Sequence, residues 1–117
     1  APAIRNLPDN TLTEIIATAA LVTVGFAFGA SSVSPTGLPA GYGPYLWGLL
    51  VWVLGIALGG PTGYAMNPAR DFGPRLAHAL IPIPGKGGSD WGYALVPIIG
   101  PLIGGAAGAT IVRFAKF

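Results

Sequence analysis

GGPTGYAMNPARDFGPRLAHAL, residues 59–80, is the stretch on which the reading of this chain turns. It is too polar for a lipid-facing span and too apolar for an ordinary soluble loop. Asn67-Pro68 is a strong helix start, because asparagine caps free backbone N–H groups and proline at the first helical position gives up no hydrogen bond. Pro68 to Leu80 is about three turns of helix, too short to cross a bilayer. Pro61-Thr62-Gly63 just before it predicts extended backbone. An irregular strand leading into a half-length helix has the pattern of a re-entrant loop, and bare backbone at membrane depth persists only where protein buries it or it lines a wet cavity.

The flanking sequence points to that membrane. Leu12–Ala30, Tyr42–Gly60 and Trp91–Val112 each approach the ~20 apolar residues that cross a hydrocarbon core. Asn10 or Thr11 is expected to cap the first span, with Glu14 in its first turns, and the uncharged Ser, Pro and Gly-rich stretch 31–44 reads as a loop. Tyr42, Tyr45, Trp91 and Tyr93 fit interfacial aromatic belts. Glycine recurs at four-residue spacing in every span, at Gly25/Gly29, Gly55/Gly59 and Gly100/Gly104/Gly108, which predicts close helix packing. Pro97 and Pro101 are expected to bend the last span.

Composition agrees. Of 117 residues, 52% are hydrophobic and 9% charged, where a soluble chain carries about a quarter charged residues. Six basic against four acidic residues are too few for a nucleic-acid footprint, so no nucleic-acid partner is expected. With no cysteine and one histidine, His78, cysteine chemistry is excluded, and neither a metal nor a cofactor is expected. No nucleophile–base pair accompanies Arg70 and Asp71, so no catalytic residue and no enzyme is expected. The opening APAIRNLPDN lacks the basic start of a secretory signal, and without an initiator methionine the chain is expected to begin inside a longer protein.

If the helix at Asn67 starts near the midplane, its free N–H groups and positive dipole end point into the cavity there and repel cations. Asn67 adds an amide donor, and Arg70, three residues on, adds a guanidinium with five donors and no acceptor. The carbonyls of Gly63, Tyr64, Ala65 and Met66 form a ladder of acceptors just before them. Donors opposite acceptors in a positive field describe a pore for neutral hydrogen-bonding solutes that excludes protons and ions. Glu14 and Thr18, one turn apart, share a face; the Glu14 carboxylate is expected to accept N–H groups of residues 61–66 and so turn their carbonyls to the pore. His78 is expected near water at the helix end.

GGPTGYAMNPARDFGPR, residues 59–75, resembles the second signature loop of the major intrinsic protein family, the aquaporins and glycerol facilitators, and the resemblance covers the whole chain. It implies an all-α membrane protein with an aquaporin-like right-handed bundle. The chain would be its C-terminal repeat, residues 1–117, carrying helices four to six and the second Asn-Pro-Ala loop at 67–69: three transmembrane helices and one re-entrant half-helix, one unit of an inverted repeat. The first repeat is absent from this chain and becomes an expected partner, in the same protein or a separate one. The resemblance assigns Gly55, Tyr64 and Arg70 to the selectivity filter, and Gly63 to Ala69, with Pro68, to the pore lining. Glu14, Thr18, Asp71, Arg75, Pro97 and Ile98 are assigned as structural supports or markers of the glycerol-conducting subtype. Glycine rather than histidine at 55 widens the constriction, leaving an aromatic wall for the carbon chain of a polyol. The implied function is a passive channel for glycerol, other small neutral solutes and water, assembled as a homotetramer in a bacterial plasma membrane with its C-terminus cytoplasmic. A water-selective aquaporin and a non-conducting interaction half-module are the alternatives. Charge alone does not orient the chain, because Arg5, Arg75 and Lys86 oppose Arg113 and Lys116.

Overall fold

A computed structural model describes Pro2 and residues 4–116. Its elements are α1 (Leu7–Ala27), α2 (Tyr42–Thr62), α3 (Pro68–Leu80), a 3-10 turn (Trp91–Tyr93) and α4 (Val96–Ala115), with no strand among the described residues. Three stretches are long and apolar enough to cross a membrane: α1, α2, and Trp91–Ala115, which joins the 3-10 turn to α4. The short α3 is the half-helix, with the bounds expected from its Asn-Pro start.

Several boundaries differ from the sequence reading. Helix α1 begins at Leu7 rather than Leu12, because the Asn6 side chain accepts the Asp9 N–H and Pro8 occupies the first turn. Asn10 and Thr11 therefore lie inside the helix, donating to the carbonyls of Ile4 and Leu7 at 3.1 and 2.7 Å. Glu14 is in the second turn, and the helix ends at Ala27 rather than Ala30. Helix α2 continues through Pro61 to Thr62 instead of becoming extended there. It stops at Gly63, whose left-handed φ of +79° lets its N–H reach the Gly59 carbonyl at 2.8 Å. The last span begins with the 3-10 turn, and Tyr93 is buried beneath the Arg5 guanidinium, 5.6 Å from the ring centroid.

The glycine repeats have separate uses. A Cβ on Gly104 would sit 2.4 Å from the Ile15 carbonyl oxygen, one on Gly108 2.8 Å from that of Ala19, and one on Gly100 2.6 Å from the Glu14 Cβ. Helix α4 thus lies backbone to backbone on α1, which only glycine permits. Gly25 receives the Trp47 indole of α2, which also meets Phe28 edge-on at 6.4 Å. A Cβ on Gly29 would meet nothing within 4 Å among the described residues. Ala17, Leu50, Leu54 and Met66 form the small core among α1, α2 and the loop before α3. Outside that core, α2 exposes Trp52, Val53 and Ile56, the all-round apolar surface of a helix whose surroundings are themselves apolar.

Candidate functional site

The site is assembled on the irregular link between α2 and α3. Gly63, Tyr64 and Met66 all take positive φ, at +79°, +44° and +48°. For the two non-glycine residues this costs on the order of 1–2 kcal/mol each. Glu14, 1% exposed, offsets that cost from α1. Its Oε1 accepts the Thr62 hydroxyl at 2.6 Å and the Ala65 N–H at 3.0 Å, while Oε2 accepts the Met66 N–H at 2.7 Å. Three donors converging on two oxygens suit an acceptor-only carboxylate. With those N–H groups held toward α1, the carbonyls of Tyr64 and Ala65 are left to a different partner, the Arg70 guanidinium, which donates to both.

Asn67 joins the link to α3. Its Oδ1 accepts the N–H groups of Ala69, at 2.9 Å, and Arg70, so the amide nitrogen is not spent on the cap. Asn67, Arg70, Ala65 and Met66, with Leu21 of α1 and Val51 of α2, line a cavity of about 150 Å³. Donors from the start of α3 and apolar side chains from the long helices therefore face the same space.

Tyr64 is seated on α2. A Cβ on Gly55 would lie 3.1–3.3 Å from Cζ, Cε2 and Cε1 of its ring, and one on Gly59 2.6 Å from Cδ1. The Arg70 guanidinium stands 4.7 Å from the ring centroid. Gly55, Tyr64 and Arg70, assigned from sequence to one filter, are thus in one contact group. Gly59, which the sequence reading placed in a helix-packing repeat and at the start of the signature loop but not in the filter, belongs to this contact group too.

Beyond Arg70, α3 forms one wall of an outer groove of about 310 Å³, with Asp71, Pro74, Arg75 and His78 facing Gly88, Ser89 and Asp90. Asp71 is bound by Arg75 through two hydrogen bonds, at 2.7 and 2.8 Å, and Arg75 also donates to the carbonyls of Ser89 and Asp90. The bond to Asp71 holds the Arg75 guanidinium above its ordinary pKa. His78 Nδ1 meets the Ser89 hydroxyl at 2.9 Å, and Lys86 donates to the carbonyls of His78, Ala79 and Ile81, completing the C-terminal end of α3. Arg5 pairs with Asp90, and that hydrogen bond holds the carboxyl below the usual carboxylate range.

The remaining sequence candidates lie behind this surface. Thr18 is buried between α1 and α4 near Gly104, with no hydrogen-bond partner for its hydroxyl among the described residues. Pro97 is fully buried and Ile98 half-buried in the first turn of α4. No group of three or more His, Asp or Glu side chains among the described residues is placed to hold a metal ion.

A half-helix between membrane-length helices, begun by an Asn-Pro cap and preceded by an irregular link whose carbonyls meet its arginine, has the broken-helix pattern of membrane transport proteins. The chain belongs to the major intrinsic protein family, which it matches over residues 2–112. It is an integral membrane protein of aquaporin-like, all-helical fold. It is 56% identical over 113 residues to the probable glycerol uptake facilitator protein of Thermotoga maritima, covering 97% of this chain and 46% of that one. The glycerol uptake facilitator protein of Bacillus subtilis is 47% identical over 114 residues, 97% of this chain and 40% of its own length. A D/L-lactic acid transporter of Lactiplantibacillus plantarum is 48% identical over 110 residues, 93% of this chain and 44% of its own. The chain therefore spans less than half the length of these relatives.

Proposed function

We propose that this chain is the second half of a passive channel for glycerol, small neutral solutes and water, and that it carries no catalytic activity. The observation that carries this reading is the division of labour around residues 63–70. Glu14 takes the N–H side of the strand, the Tyr64 and Ala65 carbonyls meet Arg70, and the Tyr64 ring supplies an apolar wall beside them. A polyol passing this surface has hydroxyls for the donors and acceptors and a carbon chain for the ring. The positive end of the α3 dipole, the Asn67 amide nitrogen and the Arg70 charge oppose protons and cations. Similarity to glycerol uptake facilitators supports the same solute class.

The pore closes when a first-half repeat, from the same protein or another chain, covers the Asn67 and Arg70 face. The assembled channel is a homotetramer in the bacterial plasma membrane with the C-terminus in the cytoplasm. Stopped-flow light scattering of proteoliposomes carrying the intact channel tests the reading. Glycerol uptake well above that of empty liposomes is expected, without a proton leak. Water permeation without faster glycerol uptake overturns the polyol reading in favour of a water-selective pore, and no flux of either overturns the channel reading in favour of a packing module.

A further inference from the structure

We propose that Gly59 is a specificity-determining position: by leaving room for the Tyr64 ring on α2, it sets how far that ring projects toward Arg70. The inference rests on the polyol-channel reading and goes beyond the filter trio of Gly55, Tyr64 and Arg70.

Gly55 and Gly59 are one turn apart on α2, and the Tyr64 ring lies along both. Their contacts are unequal. The nearest ring atom to a Cβ on Gly55 is Cζ, 3.1 Å away at the outer end of the ring, which a small swing about χ1 relieves. A Cβ on Gly59 falls 2.6 Å from Cδ1 and 3.6 Å from Cγ, at the root of the ring. A swing about χ1 moves these inner atoms less than Cζ, and rotation about χ2, which leaves Cγ and Cζ in place, lifts Cδ1 only by turning the opposite edge of the ring toward α2, where Cε2 already lies 3.2 Å from the Cβ position of Gly55. The backbone gives little relief either, because Tyr64 is held at φ +44° between Gly63, the cap of α2, and Ala65, whose N–H is bound by Glu14. The ring must therefore tilt off α2, where the Arg70 guanidinium already stands 4.7 Å from its centroid. Ring and guanidinium are in contact and together form one wall of the proposed pore, so a ring pushed off α2 moves that wall inward and obstructs a carbon chain more than a water molecule. Alanine is the better helix former, so a loss of function from Gly59→Ala arises from the ring and not from α2 itself.

The test is a set of variants of the intact channel in proteoliposomes, read as the ratio of glycerol to water permeability. Gly59→Ala is expected to lower the ratio about tenfold, as overpacking at a rigid contact does. Gly60→Ala, where a Cβ meets nothing within 4 Å, leaves it unchanged. In a Tyr64→Thr background there is no ring to displace, so adding Gly59→Ala is expected to change nothing further. An unchanged ratio in Gly59→Ala, or an equal loss in both backgrounds, overturns the inference while leaving the channel reading intact. If Gly59→Ala does not assemble, recovery of assembly in the double variant supports the inference, and failure of both overturns it. Absence of glycerol flux in the wild-type channel removes the reading on which the inference rests.

Discussion

Replacing Glu14 by glutamine keeps the size and shape of the side chain and changes one acceptor into a donor. In the native site Oε1 serves the Thr62 hydroxyl and the Ala65 N–H, and Oε2 serves the Met66 N–H. Turned one way, the amide sets its NH2 against the Met66 N–H; turned the other way, it sets it against the Ala65 N–H. Either rotamer leaves a backbone donor unpaired in a buried position and removes the charge from the surviving bonds. Leaving such a donor unpaired costs about 1–3 kcal/mol, and weakening the other bonds adds to that. The left-handed backbone at Met66 is then held less firmly, and the Tyr64 and Ala65 carbonyls lose their fixed presentation to Arg70. Glu14→Gln should therefore cost about 3 kcal/mol of stability. It should also cut glycerol and water permeability together. Thr62→Val removes only the hydroxyl bond, and its cost should stay near 1 kcal/mol with flux largely kept. Denaturation in detergent and stopped-flow permeability on the same preparations give both quantities. A Glu14→Gln protein that matches the wild type in both, or one no worse than Thr62→Val, would refute the claim that the carboxylate holds the pore strand.

Two further predictions concern the frame around the site. Gly104→Val should abolish docking of α4 on α1, because even its Cβ would overlap the Ile15 carbonyl oxygen, whereas Gly105→Val, facing open space, should assemble normally; chromatographic profiles in mild detergent distinguish the two. The Arg5–Asp90 pair should respond to acid. The Asp90 carboxyl titrates below its ordinary value in the folded protein, so its contribution is complete above the ordinary carboxylate range and is lost as pH falls through the depressed value. Both groups are solvent-accessible, so the effect is small and salt-sensitive. Hydrogen exchange at residues 89–91, corrected for intrinsic rates, should speed up between neutrality and about pH 3. Arg5→Gln should remove that acceleration, and an identical pH response in both proteins counts against the pair.

What was legible in the sequence follows from how local each signal is. The start of α3 could be read to the residue because an asparagine cap followed by proline is complete within two positions. A similar signal, Asn6 followed by Pro8 and Asp9, sits at the true start of α1, but the polarity of residues 6–11 and the capping potential of Asn10 and Thr11 point to a start at Leu12. Pro61 predicts extended backbone, yet its fixed φ of about −65° also suits the last turn of α2, at the loss of one backbone hydrogen bond, and the stop comes from the left-handed Gly63 two residues later. The glycine repeats show the limit most clearly. Spacing puts Gly55 and Gly59 on one face as surely as Gly100, Gly104 and Gly108, yet the first pair receives an aromatic ring from the following loop and the second set receives another helix. Which of these happens depends on the path of residues 63–66, and that path depends on positive φ at Tyr64 and Met66, residue types with no local preference for it. The strand holds this conformation because Glu14, about fifty residues earlier in the chain, accepts its N–H groups. The proposed filter is therefore not separable into filter residues and scaffold residues: Gly59 and Glu14 lie outside the trio of Gly55, Tyr64 and Arg70, yet one lies against the Tyr64 ring and the other binds the N–H groups of the segment whose carbonyls Arg70 meets.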